Sequence, residues 1–329
     1  MATRSIKSKL LIILGPTSTG KTDLALYLAN KFNGELISCD SRQVYVGLDI
    51  GTGKMPGEEV EIEKGKGFWE MNGIKIWMYD MVNPKKHYTV ADYVKDANKV
   101  IDDIRKSGKL PIIVGGTGFY LKALLEGLPN LGIPRNLKLR KELAQLSIQQ
   151  LQEKLKEVSP KKWGSMNSSD RQNPRRLVRA IEIVLTDFTS EESLRATVRG
   201  GLETLKIGLT AHREILYRRI DERVISRIKQ GMIGEAEKLH NEGLTLKRMR
   251  QLGLEYGILA DYLEGAIRAR DDLVRALQGK IHGYARRQIT WYKKEKNIIW
   301  FDITAESFAK KIEKLVIKWY DILKYAAES

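Results

Sequence analysis

The stretch Gly15-Pro16-Thr17-Ser18-Thr19-Gly20-Lys21-Thr22 fits the spacing G-x-x-x-x-G-K-[ST] without a substitution. An apolar run, Leu10 to Leu14, precedes it and reads as a buried strand, and a helical pattern, Asp23 to Phe32, follows it. Strand, glycine loop and helix in that order make a cradle whose backbone N–H groups and helix N-terminus point at one anion. Gly15 and Gly20 let the backbone come close, Thr17, Ser18 and Thr19 form the rest of the loop, and Lys21 supplies a point charge. Thr22 places a hydroxyl where Mg²⁺ is expected, held partly through the bound phosphates. The loop predicts a bound di- or triphosphate and does not say which.

The rest of the first third agrees with such a cradle. Candidate strands Leu36–Cys39, Ile74–Asp80 and Leu110–Val114 alternate with helices that include Val90–Ser107. That alternation predicts an α/β fold: a phosphate-loop, NTPase-like parallel sheet covered by helices on both faces. From Leu131 to Gly200 the strand signal is lost, and charged helical segments at Leu137–Leu146, Ile148–Glu157 and Pro174–Leu185 read as a helical insertion domain. A strand returns at Leu205–Leu209. The last third is helical, over Arg213–Gly243, Tyr256–Leu263, Asp271–Lys296 and Ala305–Ala327, with Ile298–Phe301 as one further strand candidate. The expected domains are therefore 1–130 with 201–329, and 131–200.

Charge narrows the partners. The 329 residues carry 57 Lys+Arg against 41 Asp+Glu, a net charge of +16, which favours a polyanion, nucleic acid before an anionic membrane surface. The one cysteine, Cys39, excludes an intramolecular disulfide, and Leu10–Leu14 is too short for a membrane span. The expectation is a cytoplasmic protein. Four scattered histidines and one cysteine offer no metal cluster of protein ligands.

Four further stretches carry chemistry. Asp40 ends the second strand, taken to lie beside the phosphate loop, and Ser41, Arg42 and Gln43 follow; the carboxylate is either a general base near the bound phosphates or the N-cap of a short helix. Leu110–Val114 runs into Gly115-Gly116-Thr117-Gly118, so Gly115 stands where nucleotide-hydrolysing enzymes often hold a metal with an acid, for which Asp80 is a candidate substitute. Asn173-Pro174 opens a helix bearing Arg175, Arg176 and Arg179, either a solvated basic face or a phosphate contact. Tyr284 to Lys294 interleaves cations with aromatics, which suits a nucleic-acid backbone with a stacked base or, equally, a core stripe with a wet face. Asp49-Ile50-Gly51-Thr52-Gly53-Lys54 is a second glycine-and-lysine turn, weak by itself.

Taken in order, the phosphate loop, Asp40-Ser41-Arg42-Gln43-Val44-Tyr45, Asp49-Ile50-Gly51-Thr52, Gly115-Gly116-Thr117-Gly118-Phe119-Tyr120 and Arg286-Arg287-Gln288-Ile289-Thr290-Trp291-Tyr292 resemble the motifs of the tRNA dimethylallyltransferase (tRNA isopentenyltransferase) family, and cover nearly the whole chain. The resemblance is to the bacterial type, without the Cys/His zinc finger of many eukaryotic members. It implies transfer of a dimethylallyl group from its diphosphate to the exocyclic amine of the adenosine on the 3′ side of the tRNA anticodon, by a monomer using Mg²⁺. It further implies that Asp40 is the general base, that Thr117 lies at the reaction channel and that Arg223 holds the diphosphate. Contacts to tRNA would come from Asp40, Ser41, Arg42, Gln43, the run Arg175, Arg176, Leu177, Val178 and Arg179, then Arg250, Gly253, Arg286 and Arg287. One triplet departs: Gly253-Leu254-Glu255 has an acid where the family usually has a basic residue. Free adenine nucleotide as acceptor, a small-molecule kinase with Arg175–Arg179 as lid, and a non-catalytic RNA-binding module are the rival readings.

Overall fold

Six consecutive residues of Lys9–Leu14 are buried, as are all five of Gly34–Ser38, and such unbroken buried runs belong to strands covered on both faces. They lie in the middle of an eight-stranded sheet in a computed structural model that describes residues 9–56, 60–128, 130–186 and 202–325, with side chains to residue 320. In chain order the strands are β1 (Lys9–Leu14), β2 (Gly34–Ser38), β3 (Ile62–Gly65), β4 (Phe68–Met71), β5 (Ile74–Trp77), β6 (Leu110–Gly115), β7 (Glu203–Thr210) and β8 (Ile298–Asp302). Their spatial order is β3-β4-β5-β2-β6-β1-β7-β8. The six from β5 to β8 run parallel and β3-β4-β5 are antiparallel.

The α/β expectation holds, with two corrections. The strand ending at Asp40 does not neighbour the phosphate-loop strand, because β6 is hydrogen-bonded between β1 and β2. The β3–β4 hairpin was not anticipated from the sequence. Its continuation into β5 turns on Asn72-Gly73, both at positive φ (49° and 76°), the backbone that a two-residue hairpin turn requires.

The chain divides into two compact units, Met1–Leu124 with Gly200–Ser329, and Leu125–Arg199. In the first, helices α1 (Lys21–Lys31), α2 (Val90–Lys106) and α3 (Gly118–Glu126) follow β1, β5 and β6. Thr89 and Asp92 close a reciprocal capping box at the start of α2. The second unit holds α4 (Leu137–Leu143), α5 (Ile148–Val158), α6 (Pro160–Ser165), α7 (Ser168–Arg171) and α8 (Pro174–Val184). They pack around Leu143, Leu151, Leu155, Leu177 and Ile181. The part of the expected insertion beyond residue 186, and Ala326–Ala327, lie outside the described residues. After β7 the first unit resumes with α9 (Arg213–Lys229), α10 (Met232–Asn241), α11 (Leu246–Leu252), α12 (Leu254–Leu263), α13 (Arg270–Tyr292) and α14 (Phe308–Tyr325). Where one helix was expected over Arg213–Gly243 there are two, broken by Gly231 at φ 100°. Helices α9 to α13 share a core of their own, built on Ile220, Val224, Leu239, Tyr256, Leu259 and Leu277.

Candidate active site

The loops after β1, β2 and β6 come together at the carboxyl end of the sheet, where the chain crosses from one side of β1 to the other. Gly15 is irreplaceable on steric grounds: its φ is 145° and a Cβ there would lie 2.3 Å from the Leu209 carbonyl oxygen. Gly20, at φ 76°, caps α1, so the loop opens directly onto a helix N-terminus. Lys21 Nζ donates to Pro16 O at 2.6 Å, and Arg223, reaching in from α9, donates to Thr17 Oγ1 at 2.5 Å. Ser18, Lys21, Thr22, Arg219, Arg223 and Arg227 line a cavity of about 430 Å³ with Lys54. Burial, then the neighbouring Arg223 charge, pulls the Lys21 ammonium down to about 7. Burial and Arg227 lower Arg223 to about 9. Asp23, Asp40 and Glu255 offset this only in part, and a bound diphosphate would favour the charged forms of both cations.

On the other side of the loop cluster lies a second cavity of about 380 Å³, lined by Arg42, Thr117, Tyr284, Arg287, Gln288 and Trp291. Asp40 borders it in sequence. No helix follows Asp40, so its carboxylate is no N-cap; Oδ1 instead accepts the Arg42 N–H at 2.8 Å, an Asx turn. The Asp40 charge acts on Lys21, Arg42 and Arg223 alike, which puts it within electrostatic reach of both cavities. Thr117 Oγ1 accepts the Ser41 N–H at 3.2 Å and Thr117 N donates to Cys39 O at 3.1 Å, tying the β6 loop to the β2 loop. Arg42 stands 5.2 Å over the Tyr284 ring, and burial and Asp40 push the Tyr284 phenol up to about 12, so the ring is a neutral stacking surface. Gln288, 5% exposed, joins the two sides: its Oε1 accepts Thr17 N–H at 2.9 Å and its Nε2 donates to Gly116 O at 2.8 Å.

The chain matches the IPP transferase family over residues 43–295, and an isopentenyl transferase family over residues 8–69. The chain belongs to the IPP transferase family. It is 38% identical to tRNA dimethylallyltransferase 1 of Geotalea daltonii, over 92% of this chain and 94% of that one, and 40% identical to tRNA dimethylallyltransferase 2 of Treponema denticola, over 89% and 94%. The crystal structure of the tRNA isopentenylpyrophosphate transferase from Bacillus halodurans superposes with a TM-score of 0.68 at 32% identity, over 98% of this chain and all of that one. Like these relatives, the chain is a transferase.

In this IPP transferase the absence of an acid after β6 has a packing cause: a Cβ on Gly115 would lie 2.3 Å from Cys39 O. Asp80 is no substitute. It pairs with the buried Lys54 ammonium and accepts Trp69 Nε1–H at 2.6 Å. Among the described residues no three His, Cys, Asp or Glu side chains group around a metal position. The wall of the phosphate cavity offers the Thr22 hydroxyl and the carboxylates of Asp23 and Glu222 but no group of three, which fits a Mg²⁺ carried chiefly by diphosphate oxygens.

The expected RNA contacts fall into three kinds. Ser41, Arg42 and Arg287 line the second cavity, while Arg286, exposed on α13, donates to Tyr217 OH at 2.9 Å. Gln43 is half-buried and accepts from Ser38 Oγ at 2.7 Å, and Gly253, at φ 73°, separates α11 from α12. Arg250 on α11 pairs with Asp261 and Glu264. In the second unit Arg175 is exposed on the first turn of α8, beyond the Asn173 cap; Arg176 pairs with Asp170 and Val178 is half-buried. One assignment is corrected. Leu177 is fully buried in the core of its unit, so its side chain cannot touch RNA. Arg179, 30% exposed, is held by Glu182 at 2.5 Å and by the carbonyls of Asn130 and Ile133 at 3.1 and 2.9 Å.

The acid in the departing triplet, Glu255, is buried and stands 3.5 Å from Arg227, which in turn donates to Gly51 O at 3.0 Å. It is an internal counter-charge for the arginine row on α9. Tyr284, Gln288 and Trp291 were visible as one stripe at i, i+4 and i+7, but helical spacing alone does not distinguish a cavity wall from core.

Proposed function

We propose that this chain transfers the dimethylallyl group of dimethylallyl diphosphate to the exocyclic amine of the adenosine on the 3′ side of a tRNA anticodon. One observation carries the reading: a complete phosphate loop crossed by Arg223 shares its loop cluster with a carboxylate, Asp40, beside an aromatic, cation-lined second cavity. The diphosphate lies on the backbone of Gly15–Thr22 with Lys21 and Arg223 on its oxygens. The prenyl carbon points toward Asp40 and Thr117. The adenine enters the second cavity, turned out of the anticodon loop against Tyr284. The amine nitrogen bonds to the allylic carbon as the bond from that carbon to the diphosphate oxygen breaks. The amine proton passes to Asp40, and diphosphate leaves as a unit. Charge builds on the leaving oxygen, where Lys21 and Arg223 stabilise it, and Mg²⁺ held at Thr22 would supply further Lewis-acid stabilisation there. We assign the phosphate contacts of the tRNA to Arg42 and Arg287 at the cavity and to Arg175 and Arg176 on α8, in a protein that works as a monomer in the cytoplasm.

Incubation with labelled dimethylallyl diphosphate and unmodified tRNA, AMP or no acceptor tests this directly. Label on the tRNA adenosine alone is the expected result. Label on AMP alone, or release of diphosphate with no label on any acceptor, overturns it.

A further inference from the structure

The turn Asp49–Lys54 is held by one carboxylate. Glu235, on α10, accepts three successive backbone N–H groups: Asp49 and Ile50 on Oε2 at 2.9 and 2.7 Å, and Gly51 on Oε1 at 3.0 Å. Tyr256 OH donates to the same Oε1 at 2.5 Å. A run of backbone N–H groups facing one point is an anion nest, and here the chain fills it with its own side chain. The fit leaves no slack. A Cβ on Gly51 would lie 2.7 Å from the Tyr256 oxygen, and one on Gly53 would lie 1.8 Å from Arg227 Nη2.

What the turn does next makes the clasp more than a local fastening. Gly53 and Lys54 form part of the phosphate-cavity wall, and Gly51 O anchors Arg227 on the same wall. In the other direction Thr52 O accepts from Gln43 Nε2 at 3.4 Å, and the buried Lys54 ammonium donates to Tyr45 O at 2.9 Å. The turn is thus a partition, with the phosphate cavity on one face and the segment that begins at Asp40 on the other.

We propose that Glu235 is a positioning residue, which through the 49–54 turn sets the spacing between the diphosphate cradle and Asp40. The inference rests on the proposed function, and inorganic diphosphate serves as a probe that does not. Glu235→Gln keeps the shape, but a carboxamide has one acceptor oxygen and cannot serve all three N–H groups. The expected result is a roughly tenfold rise in the KM for dimethylallyl diphosphate, a fall in kcat of similar size and a matching loss of affinity for inorganic diphosphate, with tRNA affinity within about twofold of the parent. Tyr256→Phe, which removes a single donor, shifts the same quantities in the same direction by about two- to threefold and serves if Glu235→Gln does not fold. A folded Glu235→Gln with unchanged kcat, donor KM and diphosphate affinity overturns the proposal. So does a loss of tRNA affinity equal to the loss of donor affinity, which marks a merely structural role. If the parent protein leaves tRNA unlabelled, the proposed function falls, and diphosphate affinity, compared by calorimetry between parent and variant, still decides for or against the clasp.

Discussion

At Asp40 a single proton separates the two states that matter. With Oδ1 holding the Arg42 N–H, the carboxylate is fixed in orientation. Asp40→Asn keeps the turn and loses the base, so turnover falls by roughly two to four orders of magnitude while tRNA affinity stays. Single-turnover transfer and filter binding measure the two separately. Lys21 gives a second expectation. Its ammonium, held to about 7 by burial and Arg223, is only partly protonated near neutrality and mostly neutral at pH 8. A bound diphosphate favours the charged form and raises that value, so binding takes up a proton above pH 7 and weakens as pH rises further. Calorimetry at pH 8 in buffers of different ionisation enthalpy reads the uptake directly, and Lys21→Met abolishes it.

Helix α8 carries its arginines in two environments, Arg175 exposed and Arg179 tied to a buried acid. Glu182, fully buried, accepts from Arg140 Nε and Nη2 at 2.8 and 2.6 Å, from Arg179 at 2.5 Å and from the Asn136 N–H at 2.7 Å. Burial would raise its carboxyl, but these hydrogen bonds hold it at about 2. A depressed carboxyl contributes stability that is whole above its unfolded value of 4.5 and is lost as pH falls toward 2. Arg179→Ala therefore destabilises the second unit by about 1–3 kcal/mol in urea unfolding, the loss of charge-assisted hydrogen bonds while Arg140 still neutralises Glu182. Arg175 is exposed, so Arg175→Ala is expected to leave stability nearly unchanged and to lower the salt slope of tRNA binding by about one or less. In the sequence both arginines looked alike, four apart on one helix, because the buried acid that claims Arg179 was one polar residue among many. The parallel strands and the phosphate loop were legible because each carries an unbroken local pattern. The hairpin was not, although Asn72-Gly73 is a turn signal, because strands of four residues at a sheet edge have too little apolar alternation to show. The place of β6 between β1 and β2 was hidden for another reason: strand order depends on which side of the sheet each connection passes, and no residue pattern records it. Around the site, Asp40 and Lys21 could be read from the motifs. The roles of Gln288, Glu235 and Glu255 could not, since each is defined by a partner more than twenty residues away.

For the molecule as a whole, the net charge of +16 sets how its two substrates respond to salt. tRNA affinity should fall steeply and linearly on a logarithmic plot against salt, because displaced counterions are its driving force, whereas donor KM should move little. Filter binding from low to physiological salt checks this, and a flat tRNA response would remove RNA phosphates from the interface. Chelating divalent ions should weaken the donor and leave tRNA binding in place, since among the described residues no acidic cluster waits to take up a cation. None of the described helices is long and apolar enough to cross a membrane. The crowding at Gly115 reaches beyond that residue. A carboxylate placed there would need the backbone at Cys39, just after β2, to move as well, so Gly115→Asp is expected to disturb the loop that carries Asp40. In terms of sequence change, an acidic side chain at position 115 is open to this chain only together with a shift of the loop after β2.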